Sequence, residues 1–596
     1  MLDGASLLVV APTSSGKTFV GEMAAARAVT EGRKAAFLLP YRALVNEKYE
    51  QFFALYGERL GMRVVRCTGD YSDQTSLFVR GKYDLSLLTY EMFLNLAVSN
   101  PALLNQLGLV VIDEAQFITD PGRGVSVELL LTHLLAAREK GVAPQLIALS
   151  AVIGDINDFD AWLGARRLVT HTRPVPLIEG VLDRSGSFRF VDGEGQERET
   201  QLLPPGAVRT RRDKPSAQDV IVPLVRSLVA KGEKVIVFRN QRGPAQGCAN
   251  YLAQDLGLPP ASDAIEALPT HDLTSTSAAL RTCLAGGTAF HSTNLTREEK
   301  AIVERAFRDP ASPVRVLAAT TTVAAGINTP ASTVILAEQE FIGEDGRQFT
   351  VAEYKNMAGR AGRLGFNEEG KAIVLADNRY QRDVLFNRYV WGSLESFKSS
   401  FDTRQLDTWI VRLLAQVDSV PHEDVARLLA NTYGGFLAGR DNPKWRVETK
   451  ERLEELLTKM LSLGLVEQDG DVLQLTLLGR ACGRSTLPFG SVMRLVDLLR
   501  KTGHADLTPV KLMALLQVIP ESDGGYTPMM KRGTAESVRQ REAAQRYGPE
   551  TVRAMQSFAR DEWDYLARCK RAALLWDWVS GVPLETIEQR YTPNPF

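Results

Sequence analysis

The chain has 596 residues, of which 44% are hydrophobic and 24% are charged, an ordinary globular composition that excludes collagen-like and largely disordered proteins. Lysine and arginine total 70 against 71 aspartate and glutamate, a net charge of −1. This balance excludes a uniformly basic protein, so any contact with nucleic acid has to come from local patches. At ~150 residues per domain, the length predicts about four domains.

The five cysteines are dispersed along the chain, and no pair has C-x-x-C spacing. Their odd number argues against a disulfide framework and favours a reducing, intracellular environment. No apolar run reaches the ~18 residues that a membrane-spanning helix needs, and the first residues lack the pattern of a signal peptide. We therefore expect a cytoplasmic protein that does not enter a membrane.

Short apolar runs alternate with helical patterns through about the first 380 residues. Runs such as Leu7–Val10 and residues 109–112 predict buried strands of parallel sheets. The segment 181–216 interrupts this alternation with charged residues and a Pro-Pro pair, and it predicts an insertion or interdomain linker. The sequence therefore predicts an α/β fold with two parallel-sheet domains, over residues 1–180 and 217–385.

The character of the chain changes after about residue 380, where amphipathic helical patterns such as 451–463 dominate. Two short apolar runs, at 465–466 and 472–475, predict a β-hairpin around an Asp-Gly turn. Helices followed by a small hairpin predict a winged-helix domain over 386–485. The remaining residues, 486–596, predict a helical bundle.

A phosphate-binding loop is predicted after the Leu7–Val10 strand. Small residues there end in Gly-Lys-Thr and open a helix, an arrangement in which loop N–H groups and the helix N-terminus cradle phosphates. Lys17 is expected to reach the β- and γ-phosphates and the Thr18 hydroxyl to bind Mg²⁺. Ala11 stands where the first glycine of this motif is usual. The predicted ATP-binding residues are Pro12, Thr13, Ser14, Ser15, Gly16, Lys17 and Thr18.

A second motif, Asp113-Glu114-Ala115-Gln116, follows the apolar run at 109–112. A carboxylate at the tip of a strand beside a phosphate loop can hold Mg²⁺, and the next carboxylate can orient and deprotonate the attacking water. Acidic residues at a strand end also cap helices, but their pairing with the loop favours an ATP-hydrolysing site. Asp113 is therefore predicted as the metal ligand and Glu114 as the base.

These motifs resemble those of the superfamily 2 helicases, and within them the Ski-like subgroup that includes archaeal and HelQ-type DNA helicases. Residues 11–18 resemble motif I and 113–116 resemble motif II. Residues 319–331 and 353–363 are similar to motifs V and VI, which are very specific. The resemblance covers nearly the whole chain and implies two tandem RecA-like domains, a winged helix and a bundle with a ratchet-like helix.

Arg360 and Arg363 lie on one face of a helical turn. Their planar guanidinium groups suit the charge that develops on a γ-phosphate, as arginine fingers supplied by the second domain. Such a finger acts only when the domains close, which links hydrolysis to motion. From the motif V segment, the resemblance adds Gly326 and Asn328 to the nucleotide site, and from motif II it adds Gln116 to the catalytic residues.

The resemblance also implies a groove that grips nucleic acid mainly at phosphate and sugar. The candidates in the motor domains are Arg42, Thr68, Thr89, Arg239 and Thr322. Residues 563–579 resemble the ratchet helix of the subgroup, on which Arg568 and Arg571 share a face suited to gripping a single strand. For Trp576 and Trp578 on the same stretch, base stacking and packing in the bundle core both stay open.

The sequence thus predicts an ATP- and Mg²⁺-dependent 3′→5′ helicase and translocase on single-stranded DNA, acting in DNA repair, replication restart or genome defence. The polarity and the substrate come from the resemblance. A monomeric motor on single-stranded or tailed duplex DNA is expected, while an RNA helicase of the same subgroup stays open. Gln116, Val152 and Asn356 depart from the usual motifs, and the upstream adenine-reading glutamine has no counterpart. These departures keep open an ATPase subunit that partners a nuclease in antiviral defence and unwinds little.

Overall fold

The computed structural model describes most of the chain. The described residues are 4–12, 15–69, 71–120, 123–151, 154–211, 214–271, 273–320, 331–340, 346–362, 369–401, 405–417, 419–485, 487–502, 507–523, 527–529 and 535–591. They form two compact units, the first built from Met1–Leu268, Ala279–Asp402 and Glu423–Arg452, and the second from Pro269–Ala278, Thr403–His422 and Leu453–Phe596. Among the described residues, no helix is both long and apolar enough to span a membrane.

A seven-stranded parallel sheet begins the first unit. Its strands are β1 (Leu7–Val10), β2 (Lys34–Leu39), β3 (Val64–Cys67), β4 (Leu85–Thr89), β5 (Leu107–Ile112), β6 (Gln145–Ser150) and β7 (Arg166–Val169). Their order is β3-β4-β2-β5-β6-β1-β7. The intervening helices are α1 (Lys17–Thr30), α2 (Arg42–Phe52), α3 (Ser72–Val79), α4 (Tyr90–Ser99), α5 (Gly124–Glu139) and α6 (Phe159–Leu163). Because all strands run parallel, their carboxyl ends share one edge, where sites of such folds lie.

A second sheet of eight strands follows in the same unit. Its strands are β8 (Leu177–Leu182), β9 (Ser187–Val191), β10 (Glu197–Gln201), β11 (Val235–Arg239), β12 (Thr288–His291), β13 (Val316–Thr320), β14 (Thr333–Leu336) and β15 (Gly370–Leu375). Their order is β10-β9-β8-β15-β14-β11-β13-β12, with only β9 and β10 antiparallel to their neighbours. The helices of this region are α7 (Gln218–Ala230), α8 (Arg242–Leu256), α9 (Ser262–Ala267), α10 (Ser275–Ala285), α11 (Arg297–Arg308), α12 (Val351–Ala358) and α13 (Arg379–Leu385). The predicted tandem RecA-like domains are therefore present, and we call them the first and second lobes.

Part of the predicted linker, 181–216, is strand rather than irregular chain. β9 and β10 extend the second sheet as a hairpin, and the buried Arg382 ties this hairpin to α13 through Asp183 (3.2 Å) and Glu199 (2.8 Å). The sequence of β10 is charged and resembles a loop, because this edge strand is exposed along its whole length. Charged residues on an edge strand prevent it from pairing with another chain. The other domain boundaries stay predictions.

The second unit is mainly helical. It contains a three-stranded antiparallel sheet of β16 (Val420–Pro421), β17 (Val466–Asp469) and β18 (Val472–Leu475), so the predicted hairpin is confirmed. The helices after the second lobe are α14 (Leu406–Leu414), α15 (Val425–Ala430), α16 (Tyr433–Asp441), α17 (Trp445–Ser462), α18 (Leu477–Arg484), α19 (Phe489–Thr502), α20 (Pro509–Leu515), α21 (Pro520–Asp523), α22 (Ala535–Tyr547), α23 (Pro549–Ser557), α24 (Glu562–Val579) and α25 (Leu584–Tyr591). Of these, α15 and α16 belong to the first unit and α17 continues from it into the second.

Glu128 anchors later parts of the chain onto the first lobe. Its side chain is fully buried on α5, where it accepts hydrogen bonds from the Ser399 hydroxyl (2.8 Å), the Ser400 N–H (3.0 Å) and the Gly434 N–H (2.8 Å). Burial raises the pKa of this carboxyl, because a buried charge loses its hydration. Glu128 therefore joins α5, the 399–400 segment and the start of α16 within the first unit.

We predict that Glu128→Ala destabilises the first unit by about 2–4 kcal/mol, because buried N–H and hydroxyl donors lose their acceptor. Glu139→Ala on the same helix removes an exposed ion pair with Arg427 (3.1 Å) and is the matched control, with an expected loss below about 0.5 kcal/mol. Urea unfolding followed by intrinsic fluorescence measures both free energies. Equal losses in the two variants would contradict the anchoring role of Glu128.

Candidate nucleotide-binding and catalytic site

The loop between β1 and α1 lies at the carboxyl edge of the first sheet. The Ala11 N–H donates to the Ser150 carbonyl (3.1 Å) and continues the pairing with β6. The Ser15 hydroxyl closes the loop on the Pro12 carbonyl (2.7 Å). Gly16 has a φ of 84°, a left-handed conformation that glycine adopts without strain, and α1 begins directly after it. The helix N-terminus therefore faces the loop as an anion site requires; Thr13 and Ser14 lie outside the described residues.

Lys17, Thr18, Asp113 and Glu114 form one cluster where the loop meets the end of β5. Lys17 is only 6% exposed, and its Nζ lies 3.6 Å from Glu114 Oε1. The Thr18 hydroxyl donates to Asp113 Oδ2 at 3.1 Å. The structure thus brings together the four residues that the sequence places in the phosphate loop and the carboxylate motif. Thr18 and Asp113 offer oxygen donors of the kind that Mg²⁺ prefers.

The two adjacent carboxyl groups differ in acidity. Burial raises the pKa of Asp113 to about 6, and the charge of Glu114 adds to the rise. Burial also pushes the pKa of Glu114 upward, but the charge of Lys17 opposes it. A hydrogen bond from Gln116 and the charge of Arg360 act in the same direction as Lys17, so the pKa of Glu114 lies below its ordinary value. Glu114 is therefore a carboxylate at neutral pH and can accept a proton from water.

The backbone bends sharply at Glu114. This residue has a φ of 59°, a left-handed conformation that costs a non-glycine residue about 1–3 kcal/mol. Tyr90 is fully buried, and its hydroxyl donates a hydrogen bond to the Asp113 carbonyl, which stabilises the bend. The sequence analysis does not identify this role of Tyr90, since nothing in its neighbours indicates which carbonyl its hydroxyl reaches. Strain at a residue that is held this firmly is typical of active sites.

Gln116 links the carboxylate motif to the end of β6. Its Nε2 donates to the Glu114 carboxylate, and its Oε1 accepts from the Ala151 N–H at 3.0 Å. The side chain therefore holds the base and the segment after β6 together, at the position where the helicase subgroup usually has histidine. Val152, the next residue of that segment, lies outside the described residues.

Arg360 reaches this cluster from the second lobe. It lies in the turn after α12, where its N–H donates to the Met357 carbonyl (3.1 Å) and its own carbonyl accepts from the Ala331 N–H (3.3 Å). Its positive charge helps to lower the pKa of Glu114 on the first lobe. The predicted residues Arg363, Gly326 and Asn328 lie outside the described residues.

The candidate strand contacts of the lobes differ in exposure. Arg42 is exposed at the start of α2, where a phosphate can reach it. Thr68 is 2% exposed, and its hydroxyl is a buried group without a hydrogen-bond partner among the described residues. Thr322 lies outside the described residues.

Thr89 and Arg239 are already committed to partners within the fold. The Thr89 hydroxyl accepts from the Met92 N–H (3.3 Å) and caps α4. Arg239 forms an ion pair with Glu338 at 2.7 Å, which raises the pKa of its guanidinium despite its burial. Contact with nucleic acid through either side chain would have to replace these interactions.

Arg568 and Arg571 point into the helical unit rather than to water. Arg568 is 2% exposed and lies 2.8 Å from Asp523, and Arg571 lies 2.7 Å from the other oxygen of the same carboxylate. Their common face, which the spacing predicts correctly, therefore packs α24 against α21 in this structure. Further along α24, Trp578 is 58% exposed, so its side chain does not pack in the bundle core, and base stacking stays a prediction.

Comparison with known proteins agrees with this geometry. Residues 1–159 match the DEAD/DEAH box helicase family, and residues 218–365 match the helicase conserved C-terminal domain. An ATP-dependent DNA helicase Hel308 from Pyrobaculum calidifontis is 31% identical over the whole chain, which covers 79% of that protein. The chain belongs to the Hel308 family of superfamily 2 helicases.

Two further Hel308 proteins extend the comparison. The protein from Caldivirga maquilingensis is 29% identical over the whole chain, which covers 77% of it, and the protein from Pyrococcus abyssi is 31% identical over 76% of the chain and 59% of its own length. The two matched domains fall on the two lobes, so Lys17 and Glu114 lie in one domain and Arg360 in the other. As a member of the Hel308 family, the chain is an ATP-hydrolysing helicase.

We predict that Glu114→Gln lowers the rate of ATP hydrolysis about 10²- to 10⁴-fold, the usual contribution of a general base, while ATP still binds. The amide keeps the shape of the side chain but cannot take a proton. Glu31→Gln at the far end of α1, which removes an exposed ion pair with Arg27, is the control. Phosphate release measures turnover and a fluorescent ATP analogue measures binding. Equal turnover in the two variants would contradict the assignment of Glu114.

Proposed function

We propose that the chain is an ATP-driven motor that moves 3′→5′ along single-stranded DNA and separates the strands of tailed duplexes. The observation that carries the proposal is the convergence of Lys17 with Glu114 and of Thr18 with Asp113 at the carboxyl edge of the first lobe, where the charge of Arg360 from the second lobe also acts on Glu114. A nucleotide bound between them is contacted from both sides. Binding and hydrolysis of ATP therefore change how strongly the lobes attract each other.

The residues divide the chemistry among them. Lys17 and Arg360 neutralise the negative charge on the transferring phosphoryl group, and Glu114 takes the proton of the attacking water. Thr18 and Asp113 would hold Mg²⁺, which would balance the negative charge of the phosphates. The raised pKa of Asp113 supports this role, because a buried carboxylate gains most from a cation beside it.

The described contacts between the lobes include two that involve partly exposed side chains. The Arg297 guanidinium donates to the Tyr71 hydroxyl at 3.3 Å, and Arg308 lies 3.6 Å from Glu47. Exposed interactions of this kind contribute only about 0–1 kcal/mol each. The nucleotide can therefore dominate the balance between open and closed lobes, and each closure can advance the motor along the strand.

Support for DNA as the substrate comes from the relatives, which are named ATP-dependent DNA helicases. Contacts to phosphate alone do not distinguish DNA from RNA unless a side chain reads the 2′-hydroxyl. The remaining parts of the proposal rest on the family resemblance: the polarity, a monomeric motor, an intracellular location, and a role in repair, replication restart or genome defence.

We predict that single-stranded DNA stimulates ATP hydrolysis by the chain and that Lys17→Ala abolishes the stimulated turnover. Loss of the ammonium leaves the phosphates without their main counter-charge. Turnover is measured with single-stranded DNA, with single-stranded RNA of the same sequence and with neither. Stimulation by RNA alone would overturn the choice of substrate, and equal turnover under all three conditions would overturn the motor itself. In the same preparation, displacement from a 3′-tailed but not a 5′-tailed duplex is expected.

A further inference from the structure

Arg173 lies in the connection between β7 and β8, through which the chain passes from the first lobe to the second. Its Nη2 donates to the carbonyls of Gly359 (3.4 Å) and Gly362 (3.2 Å) and to that of Ala361. These carbonyls belong to the turn that carries Arg360. One side chain of the connection thus holds the turn on both sides of Arg360.

The turn is joined to Ala331 by backbone hydrogen bonds, and its Ala361 side chain packs in the core of the second lobe. It consists of Gly359, Arg360, Ala361 and Gly362, and glycines leave the backbone free to adopt other conformations. Gly362 has a φ of 69°, and a Cβ built on it would lie 2.7 Å from the Gly370 backbone, so a larger residue does not fit there. The position of Arg360 therefore depends on contacts from outside the turn.

Arg173 is chemically suited to this task. A charged donor forms hydrogen bonds roughly twice as strong as those of a neutral donor, and three carbonyl oxygens converge on its Nη2. The Arg173 Nε is buried without a hydrogen-bond partner, so the useful contacts are made at the far end of the side chain. A lysine ammonium carries three hydrogens and can serve the same three acceptors.

We propose that Arg173 is a positioning residue for ATP hydrolysis, which holds the 359–362 turn so that Arg360 reaches the γ-phosphate. This inference rests on the function proposed above for Arg360. The connection between the lobes then contributes to ATP hydrolysis through Arg173, which does not itself touch the nucleotide.

Arg173→Gln is expected to lower kcat for DNA-stimulated ATP hydrolysis about 10- to 100-fold, since a displacement of ~1 Å in a catalytic group costs up to ~10² in rate. The KM for ATP and the binding of a fluorescent ATP analogue stay unchanged, because the phosphate loop is intact. Arg173→Lys keeps most of kcat. The control is Arg226→Gln, which removes an exposed ion pair with Asp255 on the same lobe and leaves kcat unchanged.

A double variant separates positioning from a general structural role. If Arg173 acts through Arg360, Arg173→Gln with Arg360→Gln is no slower than Arg360→Gln alone. The inference is overturned if the losses in kcat of the two single variants multiply in the double variant. It is also overturned if Arg173→Gln raises KM and leaves kcat unchanged. The lysine variant keeps both charge and packing, so it tests the inference even where the glutamine variant does not fold. A folded Arg173→Lys with the low kcat of Arg360→Gln would overturn it.

The same measurements distinguish this inference from the proposed function. An active Arg360→Gln would refute the role of Arg360, and with it any role of Arg173 that acts through Arg360. An inactive Arg360→Gln beside a fully active Arg173→Gln would refute the role of Arg173 alone.

Discussion

The burial of charge at the carboxyl edge of the first sheet is the constraint on which the rest of the structure depends. Lys17 and Asp113 are buried and Glu114 is partly buried beside them, and isolated buried charges are strongly destabilising. Lys17 and Glu114 compensate each other in part. Asp113 carries a raised pKa and is best satisfied by a cation. The proposed nucleotide and its metal ion would complete this site.

Short left-handed backbone features hold the catalytic groups in place on lobes that have to move relative to each other. Gly16 and Glu114 both take left-handed conformations at the edge of the first sheet, and Gly362 does so in the turn that carries Arg360 on the second lobe. The sheets hold these features in place through buried strands. Between the lobes, by contrast, some of the described contacts are partly exposed pairs, such as Arg297 with Tyr71 and Arg308 with Glu47. A motor requires this combination, because the catalytic groups must be rigid while the lobes separate in each cycle.

Patterns that depend on local chain geometry could be predicted from the sequence. The alternation of strands and helices and the Asp-Gly hairpin are of this kind, because they depend on neighbouring residues. The pairing of Lys17 with the carboxylate motif joins residues about 95 positions apart, and it could be predicted because both motifs follow strands of one parallel sheet, whose carboxyl ends share an edge. The spacing of Arg568 and Arg571 correctly predicts a shared face. It cannot tell that Asp523, about 45 residues away, lies opposite that face. The partners of Arg239, Tyr90 and Arg173 escaped prediction for the same reason, since they come from distant segments.

A structure of the chain with ADP, aluminium fluoride, Mg²⁺ and single-stranded DNA tests the central claim most directly, because aluminium fluoride mimics the phosphoryl group in the transition state. The account predicts the Arg360 guanidinium and Lys17 Nζ within hydrogen-bonding distance of the fluorides, with Glu114 contacting the attacking water. It also predicts that Thr18 and Asp113 lie beside the metal ion. A complex in which the fluoride is fully bound but Arg360 stays in solvent, with the lobes apart, would contradict the account.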